Sequence, residues 1–396
     1  MERLDGARQS YDWGSTTAIP EMLGLEPDGA PWAEQWYGAH PAGPTRLADG
    51  RTLAALLASD PDRFLGEDIM RRFGPQLPFL LKVIAPDRAL SLQVHPSLEQ
   101  AARGFEQENA EGVAPDSPVR SFKDSNHKPE MVLALTRFEA VAGFRAPRRA
   151  AEVLGGLDSP LARRMRRTLR LNPTRFGIRQ AFTELVSADT RPEASEMAEL
   201  VAEISRRLAE GRSPSRRVDA NVVEMARAFP HDPGIAAALL LNPVTLRRGE
   251  ALFVPAGSVH AYISGLGVEI MASSDNVLRA GLTTKHVDVP AMLACVDYVA
   301  APPVRPAPEY LSHATRAYYA PVDDFELLVT TVVPADGRVQ VPGRGPRILL
   351  ATQGRTTVTS PAGRQTLACG QALFVGADER VLTIEGEGVV AQADVP

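Results

Sequence analysis

The chain has 396 residues, a length that favours two or three domains over one. Its 43 Lys and Arg against 48 Asp and Glu give a net charge of −5, which argues against a nucleic-acid-binding protein or one that docks on anionic lipid. A hydrophobic share of 44% supports a large core and excludes intrinsic disorder, and two cysteines are too few for a disulfide framework.

The beginning of the sequence carries no targeting pattern. Residues 1–6 lack the apolar core of a signal peptide, and the longest apolar run, 235–241, is too short to cross a bilayer. We therefore expect a cytoplasmic protein that binds neither nucleic acid nor membrane.

Short β-type runs broken by Pro and Gly dominate residues 1–146 and return in residues 241–300. The runs 78–84, 89–95 and 138–144 are typical of strands. Residues 147–240 differ, because their apolar side chains recur at steps of three and four, as from Met197 to Leu208, with Gly211 as a stop signal. The pattern predicts a helical insertion within a discontinuous β domain.

From residue 301 the pattern is β again, after a Pro-rich linker at 301–308. This tail repeats an earlier segment: moving residues 246–272 forward by 121 positions places them on 367–393, with twelve of 27 positions identical. The repeat predicts two copies of one β unit. Only the first copy keeps a potential metal ligand, since His260 corresponds to Val381.

Four side chains from three segments form a candidate metal site. Gln93 and His95 stand two apart in a predicted strand and therefore share a face, together with Ser91. Glu130 begins an apolar run, where a buried carboxylate needs a partner for its charge. His260 follows a Pro/Gly turn. This set of nitrogen and oxygen donors without a thiolate suits zinc or another divalent first-row ion.

The polar segment 267–285 is the second candidate for chemistry. Its Arg279 carries a permanent charge on a planar fork, which suits a phosphate group or a developing oxyanion. Glycine-rich phosphate loops of the P-loop or dinucleotide type are absent from the sequence.

Seven motifs follow one another along nearly the whole chain: 11–14 (YDWG), 33–41 (AEQWYGAHP), 93–96 (QVHP), 126–131 (NHKPEM), 143–145 (GFR), 260–262 (HAY) and 274–283 (SDNVLRAGLT). Together they resemble the type I mannose-6-phosphate isomerases. The resemblance implies a mainly β protein with two cupin-type (jelly-roll) barrels and an α-helical insertion. Residues 1–146 and 241–300 would form the catalytic barrel, 147–240 the insertion and 301–396 a degenerate C-terminal barrel.

The resemblance also implies an activity, the interconversion of mannose 6-phosphate and fructose 6-phosphate with one Zn²⁺ per chain. It places the metal ligands on Gln93, His95, Glu130 and His260. It places the remaining site residues on Arg279 as the essential arginine, on Glu269 as the first candidate for the base, and on Ser91, Lys128 and Asp12 around the substrate.

Several alternatives stay open. Metal-bound water and Asp275 are further candidates for the base. The same scaffold would serve an iron or manganese dioxygenase, or a non-catalytic protein that binds a sugar phosphate. The expected partner is a small sugar phosphate and the expected state a monomer.

Overall fold

The computed structural model describes residues 1–396 and is mainly β. Its strands are β1 (Glu2–Asp5), β2 (Ala7–Gln9), β3 (Glu34–Tyr37), β4 (Arg46–Leu47), β5 (Phe79–Ile84), β6 (Leu92–Val94), β7 (Glu130–Ala134), β8 (Phe138–Phe144), β9 (Leu241–Leu246), β10 (Ala251–Val254), β11 (His260–Ser264), β12 (Gly267–Ala272), β13 (Leu278–Gly281), β14 (Glu309–Tyr310), β15 (Thr315–Tyr318), β16 (Glu326–Val332), β17 (Val339–Val341), β18 (Arg347–Ser360), β19 (Gly363–Ala368), β20 (Ala372–Val375) and β21 (Leu382–Asp394).

Twelve α-helices and one short 3₁₀-helix, Pro334–Asp336, complete the chain. The α-helices are α1 (Ala18–Met22), α2 (Leu53–Ser59), α3 (Pro61–Leu65), α4 (Glu67–Phe73), α5 (Leu98–Ala110), α6 (Pro147–Val153), α7 (Pro160–Leu171), α8 (Arg175–Val186), α9 (Ala194–Ala209), α10 (Arg216–Ala228), α11 (Gly234–Ala238) and α12 (Val289–Cys295). None of them is both long and apolar enough to span a bilayer.

The strands form three antiparallel sheets. A six-stranded sheet has the order β10-β7-β12-β5-β3-β2, and a five-stranded sheet has the order β13-β6-β11-β8-β9. Apolar side chains from both sheets pack in one cluster that includes Ile84, Val132, Phe138 and Tyr262. These two sheets therefore enclose a shared interior, and that interior holds the site described below.

The ten-stranded sheet contains all the strands from β14 onward. It also takes in β1, which pairs with β20 in the register Glu2↔Phe374, and β4, which pairs with β1. A cluster of apolar side chains joins this sheet to the outer face of the six-stranded sheet. Because side chains alternate along a strand, Phe79, Leu81 and Val83 of β5 belong to that cluster, whereas Lys82 faces the other way.

Six helices, α6 to α11, lie between β8 and β9, as the change in apolar spacing predicts. The predicted helix around 197–208 is α9, whose buried side chains include Met197, Leu200 and Ile204. The helices share an apolar core with Leu92 and Val94, so the outer face of β6 packs against the insertion.

The repeat predicted from the sequence is present as repeated structure. The strands β10 (Ala251–Val254) and β20 (Ala372–Val375) lie 121 positions apart. Gly249 and Gly370 adopt φ angles of 81° and 82°, and Gly265 and Gly386 adopt 129° and 118°. These positive φ values are readily available only to glycine, which explains why both copies keep glycine there. Neither cysteine is in a disulfide.

Candidate active site

Three ionisable side chains meet in the interior between the five- and six-stranded sheets. The Nε2 atom of His260 lies 2.9 Å from Glu130 Oε1, and the Nε2 atom of His95 lies 3.3 Å from Glu130 Oε2. All three side chains are buried, and their ligand atoms lie within 4.8 Å of one another. The side-chain amide of Gln93 is 3.2 Å from His260 Nε2. The four predicted ligands are therefore neighbours in space.

Strand pairing explains how residues so distant in sequence converge. In the five-stranded sheet His260 of β11 lies opposite Gln93 of β6, and Gln93 lies opposite Arg279 of β13. Glu130 stands at the start of β7 in the facing sheet. The interior-facing positions of three adjacent strands thus form a row, and Glu130 meets that row from the other side.

The hydrogen bonds of the two imidazoles fit a bound cation. The Nδ1 atom of His95 bonds the backbone carbonyl of Asn276 at 2.8 Å, and that of His260 bonds the carbonyl of Ser258 at 2.9 Å. A carbonyl accepts only, so each Nδ1 carries a proton, which in the neutral ring leaves the lone pair of Nε2 for a metal. His95 Nε2 is buried without a hydrogen-bond partner. With a carboxylate and an amide oxygen, these nitrogens make a donor set of the type that zinc accepts.

Electrostatics keep His95 and Glu130 in their metal-binding protonation states. Burial, and then the charge of Lys128, lowers the pKa of His95 to about 4, so its ring is neutral at pH 7. Burial opposes ionisation of Glu130, but the adjacent positive charge, above all that of Lys128, holds its pKa well below the usual value. The Nζ atom of Lys128 lies 2.9 Å from Glu130 Oε2.

A second buried charge cluster lies beside the first on the six-stranded sheet. Lys82 Nζ stands 3.5 Å from Glu34 Oε1 and 3.4 Å from Glu269 Oε2, and it lies over the ring of Trp36. Burial alone would lower the pKa of Lys82, but the two carboxylates outweigh it and raise the value. Burial raises the pKa of Glu269, which the charge of Lys82 partly offsets.

A cavity of about 610 Å³ opens onto both clusters. Its lining contains most of the side chains predicted from the sequence, namely Asp12, Ser91, Gln93, Lys128, Glu130, Glu269, Asp275 and Arg279. The side chain of Asp12 is 89% exposed and pairs with Arg88 at 3.3 Å, so it belongs to the mouth of the cavity. His95 and His260 lie behind the lining, in contact with Glu130.

Three cations in the cavity wall have no carboxylate partner: Lys123, which donates to the backbone carbonyl of Ser117, and the two neighbours Arg279 and Lys285. Arg279 and Lys285 form no ion pair, whereas Lys82 and Lys128 are both paired. Burial lowers the pKa of Arg279, and burial together with the charge of Arg279 lowers that of Lys285. Two unpaired positive charges at one wall favour an anionic ligand there.

The volume of the cavities alone would have indicated a different position for the active site. A cavity of about 790 Å³ lies elsewhere, lined by residues that include Arg72, His127, Phe253 and Asp324. It contains none of the four candidate ligands. His127 Nε2 lies 2.9 Å from Asp324 Oδ2, so this histidine pairs with a carboxylate away from the candidate metal site.

Sequence reasoning missed several residues of the site. Lys82 was hidden inside an apolar strand, and its partner Glu34 belongs to a motif that was noted without a role. The sequence signal of Lys82 is a charged residue within a run whose other members are apolar. Tyr262, whose hydroxyl donates to Glu130 Oε1 at 3.1 Å, stands two residues after His260 and could have been found by strand alternation.

Comparisons with known proteins agree with this geometry. The family model described as phosphomannose isomerase type I, catalytic domain, matches residues 1–147. The mannose-6-phosphate isomerase of Escherichia coli (strain K12) is 33% identical over 414 aligned residues, covering 99% of each chain. That of Bos taurus is 32% identical, over 94% of this chain and 92% of the bovine protein.

Solved structures give the same result. A glutamate-to-alanine mutant of phosphomannose isomerase from Salmonella typhimurium has a TM-score of 0.90 and 33% identity, with coverage of 100% of this chain and 99% of that one. A mannose 6-phosphate isomerase bound with zinc and yttrium has a TM-score of 0.90 and 32% identity, with the same coverage. Because the curated relatives exceed 30% identity over nearly the full length, the chain belongs to the mannose-6-phosphate isomerase family.

Proposed function

We infer that this chain is a zinc-dependent aldose–ketose isomerase that interconverts mannose 6-phosphate and fructose 6-phosphate. The observation that carries the inference is the buried cluster of His95, Glu130 and His260, which adjoins a sugar-sized cavity with cationic walls. The substrate is a small sugar phosphate, and its anionic group suits those walls.

One zinc ion would be held by Gln93, His95, Glu130 and His260. The support is the approach of their donor atoms and the lone Nε2 of His95. When bound, zinc supplies a positive charge that polarises substrate oxygens and stabilises negative charge in a water-poor cavity. Tyr262 holds one oxygen of Glu130 and Lys128 the other, so the chain itself fixes the carboxylate.

The phosphate group would bind Arg279 and Lys285. Both line the cavity and neither is neutralised by a carboxylate. Arg279 can donate two parallel hydrogen bonds to phosphate oxygens. With the phosphate there, the buried Lys128, and Ser91 in the same cavity wall, would contact sugar hydroxyls. Asp12 at the mouth would contact the entering substrate.

The isomerisation moves a proton from C2 to C1 of the open sugar through a cis-enediol(ate). The C1 carbonyl becomes a hydroxyl and the C2 hydroxyl becomes a carbonyl, so a second proton passes from O2 to O1. We assign the carbon-to-carbon transfer to Glu269, which would take the C2 proton and return it to C1. Its support is its place in the cavity wall, its burial and the fixed position that Lys82 gives it.

The assignment of Glu269 competes with that of Asp275, whose side chain is 47% exposed. Glu269→Gln should lower kcat by about 100- to 10,000-fold, because an amide cannot accept the proton, and zinc content should stay unchanged. The fall in kcat should be smaller in Asp275→Asn. Steady-state kinetics with metal analysis would test this, and a larger loss in Asp275→Asn would reverse the assignment.

We also propose a division of the chain into two barrels and a helical insertion. Residues 1–146 and 241–300 would form a catalytic cupin-type barrel, residues 147–240 a helical insertion, and residues 301–396 a degenerate second barrel. The support is the pair of sheets around one interior, the block of six helices and the repeated unit. The strands β1 and β4 would be exceptions to this division, since they pair within the ten-stranded sheet. We propose that the protein acts as a monomer.

The decisive experiment combines metal analysis with a coupled assay of mannose 6-phosphate turnover. We expect one zinc per chain, loss of turnover after chelation and recovery on adding Zn²⁺. Turnover that persists in fully metal-free protein would refute the zinc-dependent function. Binding of the sugar phosphate without turnover in the zinc-loaded protein would support the non-catalytic alternative.

A further inference from the structure

We propose that Asn276 is a positioning residue for the site: its side chain clamps two loops together and thereby sets the relative positions of metal and substrate ligands. The proposal rests on the metal site proposed above. Asn276 is fully buried, at 0% exposure, although its side chain is polar. A buried amide is stable only when its hydrogen bonds are satisfied, so its partners identify what it holds.

All the partners of the Asn276 side chain belong to one loop, residues 123–126. Its Oδ1 accepts from the backbone N–H of Lys123 at 2.7 Å and from that of Asp124 at 3.3 Å. Its Nδ2 donates to the carbonyls of Asp124 and Asn126, both at 2.7 Å, and to Asp124 Oδ1 at 3.2 Å. The amide therefore uses both ends to bind the backbone of a single loop.

Neighbouring residues reinforce the same connection. Ser274 Oγ donates to Asp124 Oδ1 at 2.8 Å and to the carbonyl of Asn126 at 3.2 Å. The backbone N–H of Asp275 donates to Asp124 Oδ2 at 2.8 Å. The segment 274–276 and the loop 123–126 are thus tied by a continuous network whose most buried member is Asn276.

The functional consequence follows from what each segment leads to. The loop 123–126 runs into Lys128 and the ligand Glu130, while Asn276 is followed three residues later by Arg279. In addition, the backbone carbonyl of Asn276 accepts the Nδ1–H of His95 at 2.8 Å and so orients this ligand. One residue, through its side chain and its backbone carbonyl, therefore couples the carboxylate ligand, one imidazole ligand and the unpaired arginine.

The change that tests the clamp is Asn276→Ala, which removes the side-chain bonds and keeps the backbone carbonyl. We expect zinc affinity, measured by competition with a chelator, to fall about 10- to 100-fold, the usual effect of losing a residue that supports metal ligands. The visible absorption of the cobalt-substituted protein should change shape, because displaced ligands alter the metal's coordination. A side chain needed only for stability would leave that spectrum unchanged once the protein is folded.

The matched control is Asn221→Ala. Asn221 is also a buried asparagine, but it lies on α10 in the helical insertion and its Nδ2 has no partner. This variant should keep the zinc affinity and the cobalt spectrum of the unaltered protein. Zinc binding by Asn276→Ala that matches that of Asn221→Ala would overturn the proposal.

Two further variants keep the test decisive. If Asn276→Ala does not fold, Ser274→Ala removes three bonds of the same network and should weaken zinc binding about three- to tenfold. An unchanged affinity in that variant would then refute the clamp. Glu130→Gln tests the metal site itself, and zinc retained by this variant would refute the proposed site. Loss of zinc in Glu130→Gln together with unchanged zinc binding in Asn276→Ala would refute the clamp alone.

Discussion

The segments 246–272 and 367–393 have related sequences but very different surroundings. In the first, the chain turns at Gly265 between β11 and β12, which belong to different sheets, and His260 at the start of β11 faces Glu130. In the second, β21 runs on through Gly386, and Val381 in place of the histidine is 53% exposed.

The interiors of the two regions differ accordingly. The interior beside the second segment is filled with apolar side chains such as Leu349, Val358 and Ile384. The interior beside the first is apolar only in part, because buried Lys82, Glu130 and Glu269 occupy the remainder. The comparison teaches that one β unit can support either a packed core or a charged site, and that a few interior-facing positions decide between them.

The largest effect should come from making the first segment resemble the second. His260→Val introduces the residue found at the corresponding position, and we expect loss of zinc and a fall in kcat of more than about a thousandfold, beyond the effect of losing a single charge-stabilising donor. Metal analysis and the coupled assay would measure both. The reciprocal Val381→His should keep the one zinc ion of the first site and gain no second one, because an exposed position brings no further ligands. A second zinc ion bound by Val381→His would show that the surroundings of residue 381 supply metal ligands, contrary to the structure.

The next largest effect should separate metal binding from turnover within the first region. Arg279→Ala removes an unpaired cation of the cavity wall, so kcat/KM should fall about 100- to 1000-fold while zinc content stays at the level of the unaltered protein. Arg355→Ala in β18 is the matched control, since Arg355 is exposed and lies in the ten-stranded sheet. Near-normal kcat/KM in Arg279→Ala would remove this arginine from the proposed mechanism.

The smallest effect concerns packing and is expected in both regions. Leu252 and Leu373 occupy corresponding positions of β10 and β20, and each is fully buried. Changing either to Ala should lower the free energy of unfolding by about 2–5 kcal/mol, measured by urea denaturation. Only Leu252→Ala should also weaken zinc binding, because β10 pairs with the strand that carries Glu130. Equal weakening in Leu373→Ala would show that the two cores are not independent.

Local patterns predicted a substantial part of the fold. The strand predicted at 138–144 is β8, and the helix α9 follows the apolar spacing around 197–208. The run 89–95 was less well predicted, because only Leu92–Val94 is paired as a strand. Residues on either side of it use their backbone groups in other contacts, such as the bond from the N–H of Leu90 to the carbonyl of Tyr262. Such contacts depend on distant strands and leave no local pattern.

The candidate ligands were predictable because each has a local signal: a pair two apart at the end of a strand, a carboxylate leading an apolar run, and a histidine after a turn. Of the charge cluster formed by Glu34, Lys82 and Glu269, only Glu269 was predicted from the sequence. Its members come from three strands separated by as many as 235 positions, and only the pairing of β3, β5 and β12 brings them together. His40, which belongs to the motif 33–41 and was given no role, is likewise buried, with its Nε2 3.3 Å from Asp275 Oδ2.

The pairing of β1 with β20 has a consequence for how the molecule is made. Glu2 and Phe374 are neighbours in the ten-stranded sheet but are separated by 372 residues along the chain. At a synthesis rate of about 5–20 residues per second, roughly 20 to 75 seconds pass on the ribosome before β1 can meet its partner. During that interval its unsatisfied edge is available to other chains, so the nascent polypeptide should depend on chaperone protection until its last strands emerge.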